Sequence, residues 1–170
     1  MVRPATLDDL ADINRLENWA VENTFAHFGL ESVPFEETER AFHGAEGRYP
    51  WVVAHVSGVF AGFARAGAWK ARGAYRWTCE IGVYVVPELH GKGIGKALYR
   101  ELFPAIEEAG FHTVLAGIAL PNEASIRLHE SFGMVKVAHL PETGFKFGQW
   151  WDTAYWSKTL KRSDSSSHSI

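Results

Sequence analysis

The sequence predicts an α/β fold, a single domain whose mixed central sheet is flanked by helices in the order β-α-α-β-β-β-α-β-α-β-β. Three observations carry this. At 81–106 an apolar, β-branched run (Ile81, Val83, Val85, Val86) is halted by Pro87; Gly91, Gly93 and Gly95 follow, and Ile94, Leu98, Leu102 and Ile106 then recur every four residues. That is strand, glycine-rich turn and helix. A second strand and helix come at 112–119 and 122–132, the strand of the buried parallel type. Runs on either side, joined by short turns, read as antiparallel strands.

The elements follow in order. Val2 to Ala5 allow a short strand. Thr6 then caps a helix with Asp8 and Asp9 in its first turn and Leu10, Ile13, Leu16 and Ala20 on its apolar face. Residues 23–28 break that period and read as a loop with exposed aromatics, a candidate substrate wall. Residues 35–43, charged but carrying Phe35, Ala41 and Phe42, make a second helix. Strands at 51–56 and 59–66 meet across Ser57-Gly58. A polar-aromatic connection at 67–75 leads to the central strand, 76–86. The helix at 93–109 contains Pro104, which removes a backbone bond and is expected to kink it near Arg100; Gly110 ends it. Asn122 caps the next helix and Gly133 stops it. Strands at 134–140 and 150–158, with 144–149 between them, close the sheet antiparallel. The domain is expected over 1–160, followed by a polar, Ser-rich, disordered tail over 161–170.

Composition narrows the class. A chain of 170 residues with 46% hydrophobic and 22% charged residues can bury a proper core. Its net charge of −3, without a basic run, argues against nucleic acid as a partner. Arg3, Asp8, Asp9 and Asp12 stand where a signal peptide needs an apolar core, and no run reaches membrane-spanning length, so a cytoplasmic location and no membrane partner are expected. The single cysteine, Cys79, excludes an internal disulfide, and on strand parity it points away from Glu80 into the core. His27, His43, His55, His112 and His139 are scattered without metal-ligand spacing, so no metal is expected.

The glycine turn has its own chemistry. Glycines let successive N–H groups converge, and the following helix adds its unpaired N–H groups and positive dipole end, which together receive a phosphate or pyrophosphate. A dinucleotide fingerprint fails because the sixth position from Gly91 is Lys96. A P-loop fails because Gly95-Lys96 precedes Ala97 and the first position is His90. The remaining pattern, H-G-K-G-I-G after V-x-V-x-P, resembles the acyl-CoA pyrophosphate loop of the GNAT superfamily of N-acetyltransferases, [Q/R]-x-x-G-x-[G/A], with His90 in place of Gln or Arg.

Two proton-handling candidates stand out. Glu80, in T-C-E-I-G-V, is a carboxylate among apolar strand residues, where burial raises the pKa toward a general base's range; the alternative is an exposed Glu on an edge strand. Glu80, Gly82 and Tyr84 share one face of the strand, expected to be the open one. His129 lies one helical turn beyond Ser125 in P-N-E-A-S-I-R-L-H-E-S-F-G-M, and a lone helical His is more often structural. That segment is similar to the superfamily's N-x-x-S/A-x-x-L-Y-E-x-x-G-F, with His129 at the proton-donating Tyr.

Together with Y-P-W-V-V-A-H-V and A-W-K-A-R-G-A-Y-R-W-T-C-E, these residues resemble the phosphinothricin and methionine sulfoximine N-acetyltransferase branch, over about residues 3–160. The resemblance implies acetyl-CoA as co-substrate, a small amino-acid-like amine, and catalysis by Glu80 and His129. It places the acyl donor on Val83, Tyr84 and Val85, on His90, Gly91, Lys92, Gly93, Ile94, Gly95 and Lys96, and on Asn122 and Ser125. It also implies recognition of an anionic amino acid by Phe28, Lys70, Arg72 and Tyr75; without it, Lys70 and Arg72 read as a solvated hairpin loop. The expected reaction is direct attack on the thioester, with Glu80 accepting the amine proton through water and His129 as acid or second base. The alternatives are acetylation of a protein N-terminus or a polyamine and, in another class, a non-catalytic acyl-CoA-binding module. Apolar residues near Trp150-Trp151 suit a homodimer.

Overall fold

Thr6 starts the first helical segment by reciprocal capping. Its backbone N–H and its hydroxyl donate to the Asp9 carboxylate at 2.8 and 3.0 Å. The computed structural model describes residues 1–160, and the expected tail at 161–170 lies outside them. After β1 (Val2–Pro4) come α1 (Leu10–Asn23) and α2 (Phe35–Ala45). Next are β2 (Trp51–Val56), β3 (Val59–Ala68) and β4 (Thr78–Val85). The chain ends α3 (Ile94–Glu108), β5 (Thr113–Leu120), α4 (Glu123–Ser131), β6 (Val135–Lys146) and β7 (Gln149–Thr159). The strands form one sheet in the order β1-β2-β3-β4-β5-β7-β6, and the expected element order holds.

Several boundaries move for physical reasons. β3 runs two residues further than expected and β4 starts two later, because the chain turns at Gly73–Tyr75 and the Trp77 carbonyl receives the His112 and Thr113 N–H groups. The 144–149 connection shrinks to Phe147-Gly148. Both have positive φ (52° and 76°), giving a tight two-residue hairpin. α3 continues through Pro104 as one helix, with Leu98, Tyr99, Leu102, Phe103 and Ile106 buried.

The sheet's one parallel pair makes the site. β4 and β5 pair only from Thr78↔Thr113 to Glu80↔Leu115, and then part. On β4's other edge, the Val86 N–H bonds the Ala61 carbonyl, which sets the phase of the antiparallel β3–β4 ladder. In that phase Gly82 and Tyr84 bond β3, whereas Val83 and Val85 turn their N–H and C=O groups toward the gap; the Ile81 N–H closes the last parallel bond, to Leu115.

Both faces of the sheet are covered. Ile81, Val83 and Val85 pack with Leu98, Leu102 and Ile106 of α3 in the larger core. The Glu80 face, expected to be open, instead carries α1: Leu10, Ile13 and Leu16 pack with Trp51, Val53, Phe63 and Tyr84. The apolar stripe of α1 needs that surface, so only the neighbourhood of the β4–β5 gap stays accessible.

Candidate active site

A cavity of about 540 Å³ runs through the gap. One wall comes from the end of α1 and the loop after it (Leu16, Ala20, Thr24, Ala26), the other from α3 and α4. Of the expected site residues, Val83, Tyr84, Val85, His90, Gly91, Gly93, Ile94, Gly95, Lys96, Asn122, Ser125 and His129 line it together. Glu80, Lys92, Phe28, Lys70, Arg72 and Tyr75 are not among its lining residues.

The geometry of the turn suits an anion. Gly91 and Gly93 have φ of 75° and 79°, and the space where a Cβ would stand is open at both. Gly93 is the N-cap of α3 and no side chain caps the helix, so its first-turn N–H groups are left to a ligand. His90 does different work: Nε2 lies 2.9 Å from the Val85 carbonyl, which can only accept, so the ring donates and braces the turn against β4. A Cβ on Gly95 would meet Leu128 at 2.9 Å, which seats α4 tightly on the start of α3. Asn122 caps α4 by accepting the Ser125 N–H at 3.1 Å. This donor set fits a pyrophosphate at the turn and an amide-bearing arm along the free edge of Val83.

Glu80 stands where the strands part. A Cβ on Gly117 would come within 3.1 Å of its Oε1 and 3.3 Å of the Tyr155 ring, so glycine there keeps room for the carboxylate. Burial pushes the Glu80 pKa up, and the Gly117 N–H pulls it only part of the way back. Burial also pushes the hydroxyl of Tyr84, on the same face, up to about 12. His129 stands on the other side of the sheet, 3% exposed, with Nδ1 2.7 Å from the Ser125 carbonyl and Nε2 2.8 Å from the Tyr99 hydroxyl. Burial holds its pKa below the usual imidazole value, with the Ser125 carbonyl opposing. Cys79 is buried as expected, its thiol pushed up to about 12 by burial.

The expected acceptor residues are arranged differently. The Lys70 ammonium sits over Trp69 and Tyr75, at 4.5 and 5.7 Å from the ring centres, and Arg72 is exposed. Their loop follows Gly67, which pairs with Glu80, so it borders the Glu80 end of β4. Phe28 packs on Gly144, where a Cβ would come within 2.5 Å of its ring.

The sequence reading missed what anchors the loop at 24–30. Phe25 stacks on Trp151 at 4.0 Å, and the buried Lys146 ammonium donates to the Val21 and His27 carbonyls at 2.5 and 2.6 Å. Glu17, buried on α1, binds Arg65 of β3 and lies 3.4 Å from His27. The available signal was Glu17 itself, a carboxylate within one turn of Leu16 and Ala20 on α1's apolar stripe. Among the described residues no group of three or more His, Cys, Asp or Glu side chains is arranged to hold a metal ion, and no helix is long and apolar enough to cross a membrane.

Comparison with known proteins agrees with this geometry. The family model described as Acetyltransferase (GNAT) family matches residues 13–134. A phosphinothricin N-acetyltransferase of Streptomyces viridochromogenes is 41% identical over 160 residues, covering 94% of this chain and 87% of that protein. An L-methionine sulfoximine/L-methionine sulfone acetyltransferase of Salmonella typhimurium is 37% identical, covering 91% of each. The crystal structure of a Sinorhizobium meliloti phosphinothricin acetyltransferase in complex with acetyl-CoA superposes with a TM-score of 0.93 at 34% identity, covering 99% of this chain and 92% of that one. The chain therefore belongs to the GNAT family of acetyltransferases, with acetyl-CoA as its acyl donor and a small amine as acceptor.

Proposed function

We propose that the chain acetylates the amino group of a small amino-acid-like substrate of the phosphinothricin or methionine sulfoximine type, with Glu80 as general base. The observation that carries this is the place of Glu80: a half-buried carboxylate at the fork of β4 and β5, its pKa raised, beside the cavity that ends on the pyrophosphate turn. The names of the relatives above support the substrate class.

In this reading the Gly91–Gly95 turn and the first turn of α3 hold the pyrophosphate of acetyl-CoA, with Lys92 and Lys96 adding positive charge. The backbone of Val83 and the Val85 N–H pair with the pantetheine arm along the free edge of β4, and Asn122 and Ser125 line its other side. The thioester then ends near the fork. The amine reaches it as a cation and cannot attack until it loses a proton; Glu80 accepts that proton through water, and the freed lone pair attacks the thioester carbonyl. The proton then leaves with the CoA thiol or to solvent. Lys70, Arg72, Tyr75 and Phe28, on loops around the Glu80 end of the sheet, supply the recognition of an anionic amino acid. Phe145, Phe147 and Trp150, all exposed on the β6–β7 hairpin, form the face on which we propose a homodimer, and we place the enzyme in the cytoplasm, where acetyl-CoA is available.

The test is release of CoA thiol from acetyl-CoA with phosphinothricin, methionine sulfoximine, spermidine or a Ser-initial peptide. Turnover with either amino acid analogue, abolished in Glu80→Gln, is the expected result. Turnover only with spermidine or peptide would overturn the substrate class while keeping the acetyl transfer. Acetyl-CoA binding without turnover on any amine would favour a binding module.

A further inference from the structure

Tyr99 is a fully buried phenol in a helix core, 0% exposed, with the rings of Phe103 and Phe132 at 5.5 and 5.4 Å. A buried hydroxyl needs a partner, and this one has His129 Nε2 at 2.8 Å. The opposite ring nitrogen settles the direction of that bond. Nδ1 lies 2.7 Å from the Ser125 carbonyl, an acceptor only, so Nδ1 carries the hydrogen. In a neutral ring Nε2 is then a lone pair, and Tyr99 donates to it. Ser125 Oγ stands 3.3 Å from the same Nδ1.

We infer that Tyr99 is a positioning residue: it occupies the Nε2 lone pair of a neutral His129 whose Nδ1–H the Ser125 carbonyl fixes, so that His129 bridges α3 to the first turn of α4 and takes no proton during acetyl transfer. This rests on the site reading above, which leaves proton removal to Glu80. A proton added to His129 would land on Nε2 and face the Tyr99 hydroxyl, which would have to turn its own hydrogen toward apolar rings. With both nitrogens engaged within the chain, the ring presents the cavity neither a free lone pair nor a free proton. What it does supply is a rigid brace between α3, whose start holds the pyrophosphate turn, and Ser125 on the cavity wall.

Labelling the enzyme with ¹⁵N- and ¹³C-histidine tests this, the His129 signals being those that vanish in His129→Asn. Expected in the wild type is the neutral Nδ1–H pattern across pH 6–8; in Tyr99→Phe the Ser125 carbonyl keeps that tautomer, and the Nε2 signal moves toward that of an unbonded imidazole nitrogen. Kinetics give a second readout. Asn at 129 keeps a donor for the Ser125 carbonyl, so kcat in His129→Asn should fall by no more than about tenfold, against the hundredfold or greater loss typical of a removed general acid or base. A charged or Nε2–H His129 in the wild type, unchanged His129 signals in Tyr99→Phe, or a loss in His129→Asn as deep as in Glu80→Gln would each overturn the inference. Should His129→Asn fail to fold, sequential assignment of the wild type and Tyr99→Phe still decides it.

Discussion

Glu80 and Glu17 are two carboxylates on the α1 side of the same sheet, and they titrate in opposite directions. Glu17 is the more deeply buried, at 4% exposure, and burial alone would raise its pKa; the His27 bond and the Arg65 guanidinium outweigh that and hold it below the usual range. Glu80 is only half-buried, yet its pKa is raised, because its one compensating partner is the Gly117 N–H. Burial therefore does not separate the structural carboxylate from the proposed base. A cation does: Glu17 has Arg65 and is fixed as an anion, whereas among the described residues no cation pairs with Glu80, which keeps the basicity that the proposed deprotonation of an amine requires.

The strongest way to break the contrast is Glu80→Gln. If Glu80 is the base, kcat should fall by about 100-fold or more while the acetyl-CoA dissociation constant, read by calorimetry, stays within about threefold. Stability should move the other way. A carboxylate whose pKa is raised by folding disfavours the fold once pH exceeds that pKa, so at pH 7.5 the neutral Gln should leave Tm equal or higher. The same sign governs the pH profile: kcat/KM should fall as pH drops through the raised Glu80 pKa, an acid limb lying above the ordinary glutamate value of about 4.3. A limb at or below that value, or a marked Tm loss in Glu80→Gln, would make Glu80 a second structural carboxylate.

Glu17→Gln should show the mirror image. It leaves the largely buried Arg65 without its anion, and breaking such a pair costs about 3 kcal/mol, toward the low end because Arg65 keeps some solvent. Urea denaturation should register this at pH 7.5. A depressed folded-state pKa stabilises above the unfolded value near 4.3 and is lost as pH falls through the folded one, so the gap between variant and wild type should narrow in acid. A gap independent of pH would mean that packing, and not charge, holds Glu17.

How much of this was legible in the sequence follows from what builds each part. The proposed acyl-donor side is made of backbone: glycines at fixed spacing, a strand edge and a helix start, all local and therefore visible at 81–98, and Asn122 announced its helix in the same way. Glu80 was legible as a carboxylate in an apolar strand. What covers its face was not, because α1 reaches it only through tertiary packing. The loop at 24–30 and the end of α1 are held by long-range side-chain contacts, Lys146 to Val21 and His27, Phe25 to Trp151 and Glu17 to Arg65, separated by 48 to 126 positions with no local pattern. The β6–β7 turn hid for a local reason. Phe147 in a positive-φ position is an uncommon choice where Asn or Asp usually announces a two-residue hairpin.

The smallest expected effect tests whether that anchored loop belongs to the acceptor site. Gly144 has ordinary backbone angles, so alanine is tolerated by the chain itself, but its Cβ would stand 2.5 Å from Phe28 Cζ and 2.7 Å from both Cε atoms. The ring is partly exposed and can swing away, which limits the stability cost to about 1 kcal/mol, the low end for overpacking. Phe28 shares its loop with His27, the partner of Glu17, so the displaced ring pushes on the structural carboxylate's neighbourhood while Glu80 and the pyrophosphate turn are untouched. The amine KM should then rise by about threefold, with acetyl-CoA KM and the Glu80 acid limb unchanged. An unaltered amine KM in Gly144→Ala, at a measurably lower Tm, would assign the loop and its anchors to stability alone and leave acceptor recognition to the loop that carries Lys70 and Arg72.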